Sequence, residues 1–429
     1  MSPPDYTLLN ERASLLHEKA VVVETLPYPA TYRVVQRKRS SCCSRVCSFV
    51  LILLATLLAI GFLARGRIFN SITRECDRIS HQYLAYYEDP GHQHPLPPID
   101  DWKPFEGTTH FELDPAEASG VAIKGSQVFG KVVFDTSKLS DKVVIDLDIK
   151  TNKKDENGDV VVKEENGFLS IYTPKEGELE THTAVKIQIP SNIIGAFGLP
   201  RFQVDAPRHM IDYSELPESL EIGTFAVRVG KGFVKPGPVH TNETIVAVGR
   251  GVIRGSLTQA RDTTNIDVGR GNVTLTIPTI SSGEEGKTFV HLGNGHLKGD
   301  FAIYNSTFLD VAHGSIYVSA SFKHAKTRAE FSTKIASGDS RVYVNSIASE
   351  RLLRADHTSI AGDQLITYPS NFQGTVDARG IAGDIKLSGK ELDVEKVVGG
   401  LVGKQGDSER NLVNVKTVKG ALDILVGDE

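Results

Sequence analysis

The sequence predicts an all-β ectodomain, a β-solenoid or β-helix-like stack of repeats of about 20 residues, plus one transmembrane α-helix. Three observations lead to this prediction. A short glycine-containing phrase recurs six times, most segments after residue 105 alternate apolar and polar residues, and one uncharged segment is long enough to cross a bilayer.

The recurring phrase is an apolar residue followed by two small residues that flank a polar one. It begins at residues 229, 248, 268, 292, 311 and 335, so that the spacings are 19, 20, 24, 19 and 24 residues. A period near 20 is typical of repeats that bury their apolar face only against neighbouring repeats. In the first copy, we expect Val227, Val229 and Val234 to point into the core, with the glycines at corners that need positive φ or close approach.

The remaining β-rich sequence extends this prediction in both directions. Residues 143–149 and 185–189 alternate apolar and polar side chains, as strands do. We therefore divide the chain after the stalk into an N-terminal β-rich region, 104–220, and a repeat region, 221–429. In the repeat region, successive strands are expected to stack about 4.8 Å apart.

Residues 46–64 form the uncharged segment, and about 20 apolar residues suffice for a transmembrane helix. A signal peptide is the competing interpretation, but this segment follows a polar tail of 45 residues. Five basic residues precede it and four follow it closely, and the three N-glycosylation sequons, at Asn242, Asn272 and Asn305, all lie after it. Together these features predict a type II protein with a cytoplasmic tail, 1–45, that is largely disordered.

The tail contains candidate modification and sorting signals. Cys42, Cys43 and Cys47 border the predicted helix beside basic residues, where S-palmitoylation occurs, although ordinary small apolar residues would fit equally. An acidic dileucine pattern and a tyrosine-based pattern also occur, and they consist of Glu11, Leu15 and Leu16, and of Tyr6 and Leu9. Such patterns arise by chance; if used, they favour an endosomal or vacuolar membrane over the plasma membrane. In each case the C-terminal domain would be extracellular or lumenal.

Residues 65–103 are predicted to form a juxtamembrane segment and a proline-rich stalk. Its single cysteine, Cys76, lies outside the bilayer in this topology and could pair with a second copy, which predicts a disulfide dimer. His92 and His94 lack a fixed third ligand and are interpreted as solvated, so that no metal site is predicted. None of the last 353 residues is cysteine, so the large domain depends on packing rather than on disulfides.

Charge and motif content narrow the functional classes. The net charge is −5, and the residues after 100 carry −7, which argues against nucleic acid as the main partner. The chain has no GxSxG, HExxH or paired-cysteine zinc pattern. The phrase at 249–251 lacks the third glycine of a dinucleotide loop, since Arg254 stands there. We therefore predict no cofactor and no catalytic residue.

Two columns of outward residues are candidate surfaces. Within the phrase, Lys231, Arg250 and Arg270 would lie together if the repeats stack in register, and an anionic glycan or cell-wall ligand would relieve their repulsion. Alternatively, these long side chains extend separately into water. The neighbouring column includes Asp267, His291 and Asp310. It is interpreted as a ladder of weak ion pairs, with a catalytic arrangement as the alternative.

The segments Ser337-Gly-Asp-Ser-Arg-Val342 and Gly383-Asp-Ile-Lys-Leu387 resemble an adhesin-like, glycine-punctuated β-repeat family of unknown function. The short tail, single span and β-rich ectodomain are also similar to uncharacterised fungal single-pass membrane proteins. The resemblance covers residues 220–390 and implies a β-solenoid with a surface role, but it supplies no catalytic residues.

The sequence therefore favours a non-enzymatic single-pass membrane protein that presents its β-domain for adhesion or for cell-wall or glycan contact. Two alternatives stay open. A membrane-anchored carbohydrate-active enzyme could be built on a β-helix, which is an analogy of fold alone. A sorting or scaffold protein could act through residues 1–45.

Overall fold

The structure is a computed structural model that describes residues 99, 101–138, 140–152, 160–173, 180–191, 199–279, 286–323 and 328–427. Across these residues the regular secondary structure is β, in 23 strands joined into one sheet, which confirms the predicted all-β class. The described part contains no helix that is long and apolar enough to cross a membrane. The predicted helix at 46–64 lies outside the described residues, as do the tail signals, Cys76, His92 and His94.

The N-terminal part of the sheet begins with short strands and ends in a long one. Its strands are β1 (Lys103–Pro104), β2 (His110–Leu113), β3 (Gly120–Lys124), β4 (Val128–Ser137), β5 (Val143–Thr151), β6 (Val161–Glu165), β7 (Phe168–Tyr172), β8 (Thr181–Pro190) and β9 (Leu199–Asp212). β3 pairs in parallel with the first half of β9, and β4 with its second half. β9 thus spans the width that two separate strands cover in the layer beneath it.

The central part consists of six long strands that stack in chain order. They are β10 (Glu221–Lys235), β11 (His240–Ser256), β12 (Thr263–Ile277), β13 (Lys287–Ile303), β14 (Ser306–Phe322) and β15 (Ala329–Ile347). From β9 to β15, each strand pairs in parallel with the next. The second glycine of each phrase lies opposite that of the next, from Gly232 and Gly251 through to Gly338. The expected in-register stacking of the phrase is therefore confirmed.

Burial explains why the strands adopt this register. Val227 and Val229 are buried, and after the phrase the next buried valine in the strand is Val234. The interval between buried side chains thus widens from two residues to five, because the chain turns a corner and both flanks still face one core. Fully burying each such side chain contributes about 1.5–3 kcal/mol. The resulting core is continuous from Leu113 to Val426.

The two glycines of a phrase serve different geometries. Gly251 has a φ of 149°, and a Cβ there would overlap the carbonyl oxygen of Gly232 on the strand below. Gly249 has no such backbone constraint, but a Cβ would lie 2.6 Å from the carbonyl oxygen of Gly230. The first requires glycine for both conformation and space, and the second for space alone.

The C-terminal layers do not follow chain order. The strands here are β16 (Leu353–Ala361), β17 (Gln364–Tyr368), β18 (Gly374–Ala382), β19 (Ile385–Gly389), β20 (Asp393–Val397), β21 (Gly400–Gln405), β22 (Leu412–Lys419) and β23 (Leu422–Val426). β22 lies between β16 and β18, and β23 between β17 and β19, in parallel throughout. The last strands of the chain are therefore inserted into the stack rather than added at its end.

Antiparallel strands pair with the outer layers at both ends of the parallel stack. At the N-terminal end, β5 pairs with β8 and β6 pairs with β7; at the C-terminal end, β21 pairs with β18. An exposed parallel edge would present unpaired backbone groups to other chains. These antiparallel strands pair with such edges on β7, β8 and β18.

Candidate functional site

The candidate site is a groove along the corner of the stack. Gly230, Gly249 and Gly269 occupy the first outward position of the corner on successive strands, and the absence of side chains there leaves a groove of about 620 Å³. Ala206 and Ala247 contribute to its mainly apolar lining. Successive corner backbones approach too closely for a Cβ at these glycines, and the glycines therefore line the groove with backbone alone.

The predicted cationic column lies one residue further along the corner than the glycines of this groove. Lys231 lies opposite Arg250, and Arg250 lies opposite Arg270, so the structure brings together the three residues that the sequence singled out. Each follows a groove glycine directly in the sequence. Adjacent strands are about 4.8 Å apart, which places the bases of the three side chains at that interval.

A fourth cation extends the column and was missed in the sequence. Arg208 of β9 lies opposite Lys231, and one of its guanidinium nitrogens lies 3.5 Å from the side-chain oxygen of Gln127. β9 carries His209 where later strands carry the second glycine, so the phrase search does not detect this strand. The sequence signal for β9 is a shared spacing: Phe202 precedes His209 by the same number of residues as Phe225 precedes Gly232. The term cationic column below means Arg208, Lys231, Arg250 and Arg270.

The opposite rim of the groove carries charges of both signs. Arg228 and Asp205 form an ion pair with 3.4 Å between nitrogen and oxygen. Further along, Asp267, His291 and Asp310 lie opposite one another, and the His291 ring nitrogen is 3.9 Å from an Asp310 oxygen. Side chains of His291 and Asp310 are about half exposed, with relative areas of 54% and 50%. His291 and Asp310 thus form one weak exposed pair, as the ladder interpretation expects, and Asp267 lines the groove. The catalytic interpretation stays an alternative.

The three sequon asparagines lie at the surface of the stack to different degrees. Asn242 and Asn272 are exposed, whereas Asn305 is half-buried. The side-chain oxygen of Asn272 accepts a hydrogen bond from the backbone nitrogen of His296 at 3.3 Å, and that of Asn305 lies 3.2 Å from the Ser306 hydroxyl. Their glycosylation stays a prediction.

Of the three buried histidines in the described residues, His209 and His357 are the most completely enclosed. His357 shares hydrogen bonds with the Thr333 hydroxyl at 2.8 Å and the Tyr368 hydroxyl at 3.0 Å, and His209 shares one with the Thr183 hydroxyl at 2.6 Å. Burial lowers the pKa of His357 to about 4 and that of His209 to about 3, because the protonated ring loses its hydration. Burial also raises the pKa of Tyr368. All three groups are therefore neutral near pH 7 and act as packing and hydrogen-bonding elements.

Metal ligation is not suggested by the described side chains. In the ranges that the structure describes, no group of three or more histidine, cysteine, aspartate or glutamate side chains is arranged to share an ion. The groove is mainly apolar and is also lined by Asp205 and Asp267 and by Lys124 and Arg228, and a line of four cations lies next to it.

Comparison with known proteins gives structural likeness only. No protein-family model and no curated protein matches this chain. Among solved structures, a "putative cell adhesion protein" from Clostridium sporogenes ATCC 15579 is 11% identical, with a TM-score of 0.18, over 76% of this chain and 100% of that one. A "putative adhesin" from Parabacteroides merdae ATCC 43184 is 9% identical, with a TM-score of 0.28, over 74% and 95%. Another from Parabacteroides distasonis ATCC 8503 is 12% identical, with a TM-score of 0.25, over 74% and 98%. At these TM-scores the likeness carries no argument about fold or function.

Proposed function

We propose that this chain is a non-enzymatic, single-pass type II membrane protein that presents a β-solenoid to the cell exterior or to an organelle lumen. Its role is adhesion, through contact with acidic glycans of a cell wall or cell surface. The uncharged segment 46–64 and the position of the sequons support the topology. The in-register stacking of long parallel strands supports the solenoid.

The observation that carries the proposed ligand is the cationic column beside the groove. Cations that repeat at the strand spacing can each form a charge-assisted hydrogen bond with successive acidic groups of one anion. A linear acidic polymer matches this surface better than a small anion does, since its charges repeat along one direction as the column's do. Its sugar rings would occupy the groove floor, where the glycines leave room.

Binding of acidic polysaccharide to variants of the purified full chain tests the ligand. Replacing Lys231, Arg250 and Arg270 together by alanine should weaken binding to polygalacturonate at least tenfold. A matched control replaces three exposed lysines at the C-terminal end, Lys390, Lys396 and Lys404, and changes the net charge equally. It should retain affinity within about twofold, because electrostatic attraction in physiological salt decays over ~8 Å. Equal losses in the two variants would mean a non-specific charge effect and would overturn the proposal.

Topology needs its own experiment. Protease applied to intact cells should cleave the C-terminal domain if it faces the exterior, and removal of N-linked glycans should lower the mass of the chain. A mass decrease with full protection from protease would place the domain in a lumen. Accessibility of the C-terminus from the cytosol would contradict the type II topology.

A further inference from the structure

We propose a second glycan-binding surface, on β13–β15, where the exposed Tyr317 and the half-buried Tyr343 form a platform for the sugar rings of an acidic glycan. The inference rests on the proposed function, because it assumes that the protein contacts glycans. It concerns a different part of the stack from the cationic column, and nothing in the repeated phrase points to it.

Strand register defines the platform. Tyr317 of β14 lies between Lys298 of β13 and Arg341 of β15. Two residues further along the same strands, Ser319 lies between Asp300 and Tyr343. The two aromatic rings therefore stand on a diagonal of adjacent strands, and their centroids are 5.6 Å apart with an interplanar angle of 58°.

Tyr317 is held in place while remaining open to solvent. Tyr317 retains 43% of its accessible area, and Lys298 places its ammonium 5.6 Å from the ring centroid. Such a cation over the ring face is attracted by the ring quadrupole. On the Tyr343 side, the Asn345 amide donates a hydrogen bond to the Ser319 hydroxyl at 2.6 Å. The polar groups around the rings are thus fixed by the strands and by one another.

Neighbouring layers show that the fold does not need aromatic residues here. The positions aligned with Tyr317 and Tyr343 on β12 are Thr274 and Thr276, and β17 carries Thr367 opposite Tyr343. Threonine is a favoured strand residue on a solvent-facing surface. The two tyrosines therefore supply ring area at positions where β12 carries threonine.

The chemistry of the platform suits a carboxylated or sulfated sugar. A tyrosine ring offers a rigid apolar face with a polar hydroxyl, and few rotatable bonds are fixed when it binds. The apolar face of a pyranose ring can lie on it, while Lys298 and Arg341 on either side of Tyr317 reach an acidic group of the same sugar. Asp300 and Asn345 supply acceptors and donors for sugar hydroxyls.

Substitutions in the full chain test the platform, with polygalacturonate as the probe and neutral dextran for comparison. Tyr317→Ala and Tyr343→Ala should each weaken polygalacturonate binding at least fivefold, whereas Tyr317→Phe should stay within twofold because the ring face is kept. Leu352→Ala is the control. Leu352 is 42% exposed, nearly the same as Tyr317, and belongs neither to the groove lining nor to the platform. This control should bind as the wild type does.

Each outcome has one meaning. If wild type does not bind polygalacturonate and dextran binds equally poorly, both the proposed function for this ligand class and the platform are overturned. If the triple lysine-arginine variant loses binding while both tyrosine variants keep it, the platform alone fails. If the Leu352 control loses as much as Tyr317→Ala, the effect is not local and the platform also fails. Should Tyr317→Ala unfold, the Lys298→Ala and Arg341→Ala variants decide, and unchanged binding in both overturns the proposal.

Discussion

We expect acid to destabilise the fold through His357, which is buried among Thr333, Phe331 and Tyr368. Burial lowers the pKa of this imidazole from 6.5 to about 4 in the folded protein. As the pH falls below 6.5, the unfolded chain binds a proton that the folded chain still excludes. The stability contribution is therefore complete above pH 6.5 and is lost between pH 6.5 and about 4.

The size of the effect follows from the two pKa values. One pKa unit corresponds to about 1.4 kcal/mol, and linkage gives a loss of about 2.5 kcal/mol in the free energy of unfolding between pH 7 and pH 4.5. His209 adds a second loss of the same sign, because burial lowers its pKa to about 3. The variant His357→Gln removes only the first contribution.

Urea unfolding of the full chain, followed by circular dichroism at pH 7 and pH 4.5, measures the difference. His357→Gln should be less stable than wild type at pH 7, yet lose about 2.5 kcal/mol less on acidification. His291→Gln is the control, since His291 is 54% exposed and should leave the pH dependence within about 0.5 kcal/mol of wild type. The reasoning is refuted if His357→Gln and wild type lose the same free energy.

Three further predictions concern the glycine corners, an inserted strand and the stalk. Gly251→Ala should lower the free energy of unfolding by about 2 kcal/mol or more, since it combines a strained φ with overlap of the strand below. Gly249→Ala should lower it less, and equal shifts in Tm for the two variants would contradict the distinction. Asn411→Ala should lower the free energy of unfolding in urea by about 2–4 kcal/mol, because the buried Asn411 amide accepts a hydrogen bond from the Leu353 nitrogen at 2.8 Å and donates one to the Gln373 carbonyl at 2.6 Å. A loss under about 1 kcal/mol would show that water replaces both bonds. The full chain should migrate as a dimer on non-reducing gels and Cys76→Ser as a monomer, and a dimer that persists in the variant would exclude Cys76 as the link.

The register of the central strands could be predicted because each phrase carries its own alignment signal. Val229, Gly251 and their counterparts recur at nearly constant spacing, and a shift by one residue would turn every buried valine outward. Burial and pairing follow this signal from β10 to β15. The cationic column was predicted for the same reason, since its members occupy a fixed place in the phrase.

The order of the C-terminal layers could not be predicted from these local patterns. Gly362, Gly383 and Gly420 each supply the same kind of corner, and the structure stacks them in the order Gly362, Gly420, Gly383. Any order of three such layers satisfies a column of glycines equally well. What distinguishes them is contact between distant residues, such as the hydrogen bond between Asn411 and Leu353, 58 positions apart. Single-sequence periodicity contains no information about such pairs.

The first corner position changes character along the stack. It is glycine from Gly230 to Gly293 and alanine at 312 and 336. In the next three layers, the residue pairs on either side of this position place Ile360, Val418 and Ile381 there. These three aliphatic side chains are exposed. The corner is therefore a groove at one end and an apolar ridge at the other, and the cationic column lies only beside the groove.

This asymmetry limits the length of ligand that the column accommodates. The column occupies β9–β12, and three strand spacings of ~4.8 Å give a span of about 14 Å. Affinity for acidic oligosaccharides should rise with length until the oligosaccharide covers that span, and should then level off. The reason is that the residues in line with the cationic column on the next two strands are Asn294 and His313, which are not long cations. Measurement in the Tyr317→Ala variant isolates the column from the proposed platform. Affinity that keeps rising with every added unit beyond about 14 Å would mean that the ligand does not follow the corner.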